Sequence, residues 1–288
     1  MSKIRILVDS PSDLPLEVAR EHNILVIPVN LSFDSVTLYR DKYDITAEDF
    51  YQKLRSTDVI PKTTLITPIE FEEVFREQAK EYDELIVMTI ASTASGTFQA
   101  AVTAKQAVEE DLPVKIHLVD SMSLSYGYAY IALEGAKWLK QGKSAEEIVQ
   151  HMQETIANLN TYFAVETLDY LKKGGRIRTT TAIIGGMLDI RPILQVKEGL
   201  VSAIDKVRGE KKVFPKFIEI MKQNISDVEH TKIYILNSDV PDKAEELSDL
   251  IEKEVGKRPD GIQQVGPVIG CHAGPGVIGV LFILNQMD

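Results

Sequence analysis

Leu85-Ile86-Val87-Met88, running on into Thr89-Ile90-Ala91-Ser92-Thr93-Ala94-Ser95-Gly96-Thr97-Phe98-Gln99-Ala100-Ala101, decides how the rest of the chain is read. Leu85 to Met88 is an unbroken apolar run, as expected of a strand buried on both faces. Ala100 to Val108 is rich in alanine and reads as a helix. Between them lies a short turn of hydroxyls and one glycine. A strand that ends in such a turn and then opens a helix aims free N–H groups and a positive dipole end outward. That geometry suits a carboxylate or a phosphate. A helix N-cap at Ser95 or Thr97 accounts for the hydroxyls equally well, and this stretch alone leaves both readings open.

Upstream, Ile4 to Val8 reads as a strand ending at Asp9-Ser10-Pro11-Ser12-Asp13-Leu14-Pro15. A short helix over Leu16 to His22 and a strand over Ile24 to Leu31 follow, which together open a parallel α/β unit. Ser32 to Asp41 is expected as a loop or hairpin. Thr46 is placed to cap a helix over Ala47 to Arg55, with Glu48 and Asp49 in its first turn. Prolines frame Pro61-Lys62-Thr63-Thr64-Leu65-Ile66-Thr67-Pro68, which predicts an extended segment leading into a helix to about Glu81. Downstream, a strand over Lys115 to Val119 ends at Asp120-Ser121. Helices over Gly127 to Lys140 and Ser144 to Leu159 complete a first domain. Alternating strands and helices predict a mostly parallel sheet with a site at the strands' carboxyl ends, where Asp9-Ser10, Ser92 to Ser95 and Asp120-Ser121 all fall.

The second half mixes hairpins with helices, which predicts an α+β domain. Its expected elements are a strand over Tyr162 to Val165, a helical turn over Leu168 to Lys172, a break at Gly174-Gly175-Arg176 and a helix over Thr179 to Met187. A hairpin over Ile190 to Val196 and Gly199 to Arg208 comes next. Helix Lys211 to Gln223, strand Lys232 to Asn237, helix Asp242 to Val255 and strands near Ile262 to Val265 and Val277 to Leu284 follow. The change of pattern places the division at residues 1–160 and 161–288. The apolar tail from Val265 to Leu284 is interrupted by glycines and prolines from Gly266 to Gly279, so it reads as two short buried strands around a glycine loop and not as a membrane span.

The chain has 288 residues, a net charge of -11 and one cysteine, Cys271. The acidic balance argues against nucleic acid as a partner. A lone cysteine excludes an internal disulfide framework and fits a reducing, cytoplasmic setting. The five histidines are scattered, and neither metal-ligand spacing nor a nucleotide-binding glycine loop is present, so no metal is expected. Cys271 reads as a buried structural cysteine. His272 lies in Gly270-Cys271-His272-Ala273-Gly274-Pro275-Gly276, read as a loop that lets backbone approach closely, where a histidine is either held at a site or simply satisfied by its neighbours. Arg176 and Arg208 are either functional or ordinary surface charges.

Taken in order, Asp9-Ser10 with Ser12-Asp13-Leu14-Pro15, Pro61-Lys62-Thr63, Ser92 to Thr97 with Gln99, Leu168-Asp169-Tyr170-Leu171-Lys172-Lys173-Gly174-Gly175-Arg176-Ile177, and Gly266-Pro267-Val268-Ile269-Gly270 through His272 to Gly276 resemble the DegV family over essentially the whole length. Within it, the chain looks like the fatty-acid-binding subunits of bacterial fatty acid kinase (FakB). The resemblance implies two α/β domains with a long-chain fatty acid buried between them and no resident cofactor. It implies a carrier with no catalytic residues of its own. The carboxylate is then held around Thr63, Ser95, Gly96 and Thr97, with His272 close by. Arg176 and Arg208 face an ATP-dependent kinase subunit, which makes the acyl phosphate for phospholipid synthesis. Contact with a membrane or an acyltransferase is then transient. Ala94 stands where the family often has leucine, which suggests room for a bent chain. The alternative reading is an enzyme acting on a small carboxylated or phosphorylated metabolite, with His272 as acid or base.

Overall fold

The computed structural model describes residues 2–178 and 189–284. The elements of the first half are β1 (Ile4–Asp9), α1 (Leu16–Glu21), β2 (Ile24–Ile27), β3 (Asn30–Ser32), β4 (Tyr39–Arg40), α2 (Ala47–Arg55), β5 (Lys62–Thr64), α3 (Pro68–Gln78), β6 (Glu84–Thr89), α4 (Thr97–Asp111), β7 (Lys115–Asp120), α5 (Tyr126–Lys140) and α6 (Ala145–Ala157). The second half supplies β8 (Leu159–Ala164), α7 (Asp169–Gly174), β9 (Ile190–Lys197), β10 (Leu200–Arg208), α8 (Val213–Asn224), β11 (Lys232–Asn237), α9 (Pro241–Val255), β12 (Gly261–Gln264), α10 (Pro267–Ala273) and β13 (Ile278–Ile283).

The architecture is mixed α/β. A fully parallel sheet has the order β2-β1-β6-β7, and a larger, mostly antiparallel sheet has the order β10-β9-β8-β13-β11-β12. In the parallel sheet Asp9 pairs with Ile27 and Thr89 with Asp120, so the polar turns that follow β1, β6 and β7 gather at one edge, as the alternation predicts. Thr46, Thr67 and Ser144 each accept a hydrogen bond from the backbone three residues on, which starts α2, α3 and α6.

Two expectations are corrected. The strand read over Ile24 to Leu31 is two strands in two sheets. Pro28 has no N–H to give a ladder, so β2 stops at Ile27. After Val29 the chain enters β3, which pairs with β4 and β5 in a small antiparallel sheet. The tail from Val265 is not a pair of strands around a loop. Gly266 and Pro267 open the helix α10, and only β13 is extended. The helix expected over Thr179 to Met187 falls outside the described residues.

Helix α5 is the shared wall. Tyr128, Ile131 and Ala132 are buried in one cluster with Ile6 and Ile86 of the parallel sheet and with Leu281 and Ile283 of the larger one. Gly127 sits so close to Leu159 and Leu281 that a side chain there would displace them. A helix that is apolar around most of its girth is what a position between two sheets requires.

Candidate functional site

The turn after β6 is held from both sides by strand-end carboxylates. Asp9 accepts from the Ile90 N–H at 3.0 Å, and Asp120 accepts from the Ser92 N–H at 3.1 Å. These two aspartates, read from sequence as part of the strand-end site, serve as its scaffold and do not line the cavity described below. Gly96 is the N-cap residue of α4, and no side chain caps it. Ser95 Oγ lies 2.8 Å from Thr97 Oγ1 and accepts weakly from the Thr97 N–H at 3.3 Å. Neither hydroxyl therefore does the ordinary capping job.

This turn closes one end of a cavity of about 600 Å³. Its body is walled by apolar side chains from several elements, among them Val29, Ile90, Phe163, Val201, Val268 and Val277. Its polar end contains Thr63, Ser95, Gly96, Thr97, Arg176 and His272. The β9–β10 turn is tied to this end: Thr93 Oγ1 donates to the Glu198 carbonyl at 2.9 Å. Next to it, Gly199 (φ 72°) packs so tightly on Ala91 and Thr93 that no side chain fits.

His272 lies in the last turn of α10, not in a loop, and its Nε2 is 3.0 Å from Thr63 Oγ1. Its Nδ1 is buried with no hydrogen-bond partner. Gly174 lies directly against it, since a Cβ there would be 2.6 Å from Nδ1. Burial, with the Arg176 guanidinium adding to it, pushes the imidazole down from 6.5 to about 4, so it is neutral at pH 7. Arg176 reaches over the serine turn. Its Nε donates to the Ala94 carbonyl at 3.3 Å and one terminal nitrogen to the Gly174 carbonyl at 2.6 Å. Cys271 is buried in the core, and desolvation raises its thiol pKa, which fits a structural thiol.

Thr63, Ser95, Gly96, Thr97, Arg176 and His272, spread over 209 positions between the first and last, thus meet at one end of one cavity. Arg208 does not join them. It is exposed at the end of β10, paired opposite Ile190, and does not line the cavity. The second arginine of the cavity wall is Arg178, whose backbone N–H bonds the Val201 carbonyl. Arg176-Ile177-Arg178 alternates, and in an extended segment that spacing puts both arginines on one side; this signal was present in the sequence. Glu84, His117 and Glu146 bring ligand-type atoms within 4.8 Å of one another from β6, β7 and α6, a grouping no local spacing announces. They lie in an ion-pair network in which His117 Nε2 meets Glu84 at 2.8 Å and Lys115 pairs with Glu146.

The fold and the cavity together define a three-sheet α/β protein with a largely apolar chamber that ends in neutral hydroxyls beside a neutral imidazole and an arginine. The chain belongs to the DegV family, whose sequence model, described as an uncharacterised protein family, matches residues 3–285. It is 36% identical over 282 residues to a DegV domain-containing protein of Caldanaerobacter subterraneus subsp. tengcongensis, covering 98% of this chain and 99% of that one. Among solved structures it is similar to a fatty-acid-binding DegV family protein from Thermus thermophilus, with a TM-score of 0.88 and 30% identity over 98% of this chain and 100% of the other. It is also similar to a stearic acid-binding protein from Eubacterium ventriosum, with a TM-score of 0.90 and 27% identity over 99% of this chain and 98% of the other. Among the described residues, no helix is long and apolar enough to cross a membrane.

Proposed function

We propose that this chain carries a long-chain fatty acid in the cavity and presents its carboxylate to a separate ATP-dependent kinase subunit, which converts it to an acyl phosphate for phospholipid synthesis. The observation that carries the reading is the cavity itself: an apolar body whose polar end joins Thr63, Ser95, Thr97 and His272. Each buried methylene contributes about 0.8 kcal/mol, partly offset by the ordering of the chain. The carboxylate must not be left unpaired. A His272 Nε2–H donating to Thr63 Oγ1 leaves the threonine hydroxyl hydrogen free to donate to the carboxylate, and Ser95 donates from the other side. In this reading residues 1–160 and 161–288 act as two lobes around the ligand, in the cytoplasm. Arg176, over the serine turn, and Arg208, farther along the surface, face the kinase. Ala94 stands on the head-group turn, so the space it leaves lies beside the carboxylate end.

Titrating delipidated protein with a fluorescent long-chain fatty acid tests this. The expected result is saturable binding, reversed by unlabelled fatty acid and far less by its methyl ester. Absence of saturable binding, or equal displacement by small phosphorylated metabolites, would favour the enzyme reading instead.

A further inference from the structure

Three carboxylates are buried together behind the cavity wall: Asp9 is 1% exposed, Asp13 4% and Asp41 0%. Asp9 is well bonded, accepting from the Ile90 N–H and, at 2.8 Å, from the Tyr128 hydroxyl. Asp13 accepts from the Ser125 hydroxyl through one oxygen, while the other faces Gly266 without a well-formed hydrogen bond. Asp41 has Ser10 and the Lys42 backbone as polar neighbours, yet neither of its oxygens makes a well-formed hydrogen bond. Lys42 supplies an ammonium that acts on both Asp13 and Asp41. Tyr128 of α5, Tyr51 of α2 and Cys271 of α10 face these carboxylates as neutral acids, and Asp239 also acts on Tyr51.

Three carboxylates shut away from water, with the half-buried Lys42 beside them as the one ammonium, cannot all be charged. Either a metal ion or protons must remove the surplus. Their oxygens do not converge on a common point: among the described residues, the three-residue group with ligand atoms within 4.8 Å of one another is Glu84, His117 and Glu146. Protons are therefore the neutralising species. In keeping with this, burial pushes Asp9 and Asp13 up to about 7 and Asp41 up to about 6.

The cluster and the cavity share walls. Pro11, Val29, Ser125 and Val265 line the cavity. Ser125 also holds Asp13, the Val29 N–H donates to Ser10, and Tyr51 donates to the Val265 carbonyl. One residue beyond Val265, Gly266 begins α10, the helix that carries His272.

We propose that Asp9, Asp13 and Asp41 form a proton-dependent latch between the Ser10–Ser12 turn and α10, and that its deprotonation loosens the cavity and speeds ligand release. Only the second half of this statement rests on the proposed lipid-carrying function. Between about pH 4 and pH 7 the folded chain keeps protons that the unfolded chain has lost. The latch is therefore strongest at the acidic end of that window and weakens as pH rises through it.

Three measurements decide it. In thermal unfolding of lipid-free protein from about pH 5.5 to 8.5, Asp41→Asn should gain on the wild type as pH rises; Asp13→Asn is the second variant should the first not fold. Infrared difference spectra of the wild type should show a protonated carboxyl band at the acidic end that is gone at the basic end. Release of a fluorescent fatty acid should be roughly tenfold faster at the basic end for the wild type, and each variant, which keeps two of the three carboxylates, should show a clearly smaller dependence on pH. Parallel unfolding curves for wild type and variants, or no protonated carboxyl at the acidic end, would overturn the latch. A pH-dependent release unchanged in the variants would overturn its coupling to the cavity. If no lipid binds at all, the carrier reading fails while unfolding and infrared still decide the latch.

Discussion

At the scale of single residues, the account rests on Thr63 and His272, whose side chains meet at 3.0 Å across 209 positions. In the proposed carrier, Thr63→Ala or Ser95→Ala removes one donor to a buried carboxylate, which costs about 1.5–3 kcal/mol. Dissociation of bound fatty acid should therefore quicken by roughly tenfold or more in each variant; wild-type retention in the double variant would take both out of the site. His272 gives a prediction opposite in sign to the aspartate latch. Its pKa falls from 6.5 to about 4 on folding, so its stabilising share is complete above pH 6.5 and is lost as pH falls toward 4. His272→Gln should flatten the acid side of the stability profile, measured by thermal unfolding. Ser95, Thr97 and His272 stand out as candidates in the sequence because of their company, hydroxyls at a strand-to-helix turn and a histidine among glycines, whereas Thr63 enters only through the family resemblance. The buried aspartates do not stand out. Asp41 reads as a loop residue, and nothing local says that its carboxylate is closed off from water. Arg208, expected with Arg176 on the face that meets a kinase, is exposed at the end of β10 and does not line the cavity.

At the scale of elements, the turn joining β9 and β10 fixes the head-group turn from above through Thr93 and Gly199. Gly199→Ala would overlap Ala91 and Thr93 and also place a side chain at φ 72°. The expected cost is about 1–3 kcal/mol of stability, with weakened lipid retention, read by thermal unfolding and by fatty acid dissociation. A variant as stable and as retentive as wild type would show that this turn does not hold the site. Most elements follow from their pattern: the β6 run, the capped starts of α2, α3 and α6, and the hairpin of β9 and β10. The two misread elements have different causes. α10 is only 7 residues long and contains a glycine, so it shows no helical period, and its glycine-rich flanks imitate a loop. Pro28 marks the end of β2, but only the folded chain shows that β3 then joins a different sheet.

At the scale of the whole molecule, a chain of net charge -11 exposes Arg176 and Arg178 at the wall of its cavity. A kinase subunit approaching a phosphorylated head group would meet positive charge there. Arg176→Ala and Arg208→Ala should keep lipid binding but slow acyl phosphate formation several-fold when the kinase subunit and ATP are supplied; unchanged rates in both would remove the arginines from that role. The central claim is that an acyl chain fills the cavity with its carboxylate at Thr63 and Ser95. Native mass spectrometry of the purified protein, before and after organic extraction, tests it most directly. The account predicts a mass excess equal to one long-chain fatty acid, lost on extraction and much reduced in the Thr63→Ala, Ser95→Ala double variant. A protein that carries no lipid and takes up none when supplied with it would contradict the account.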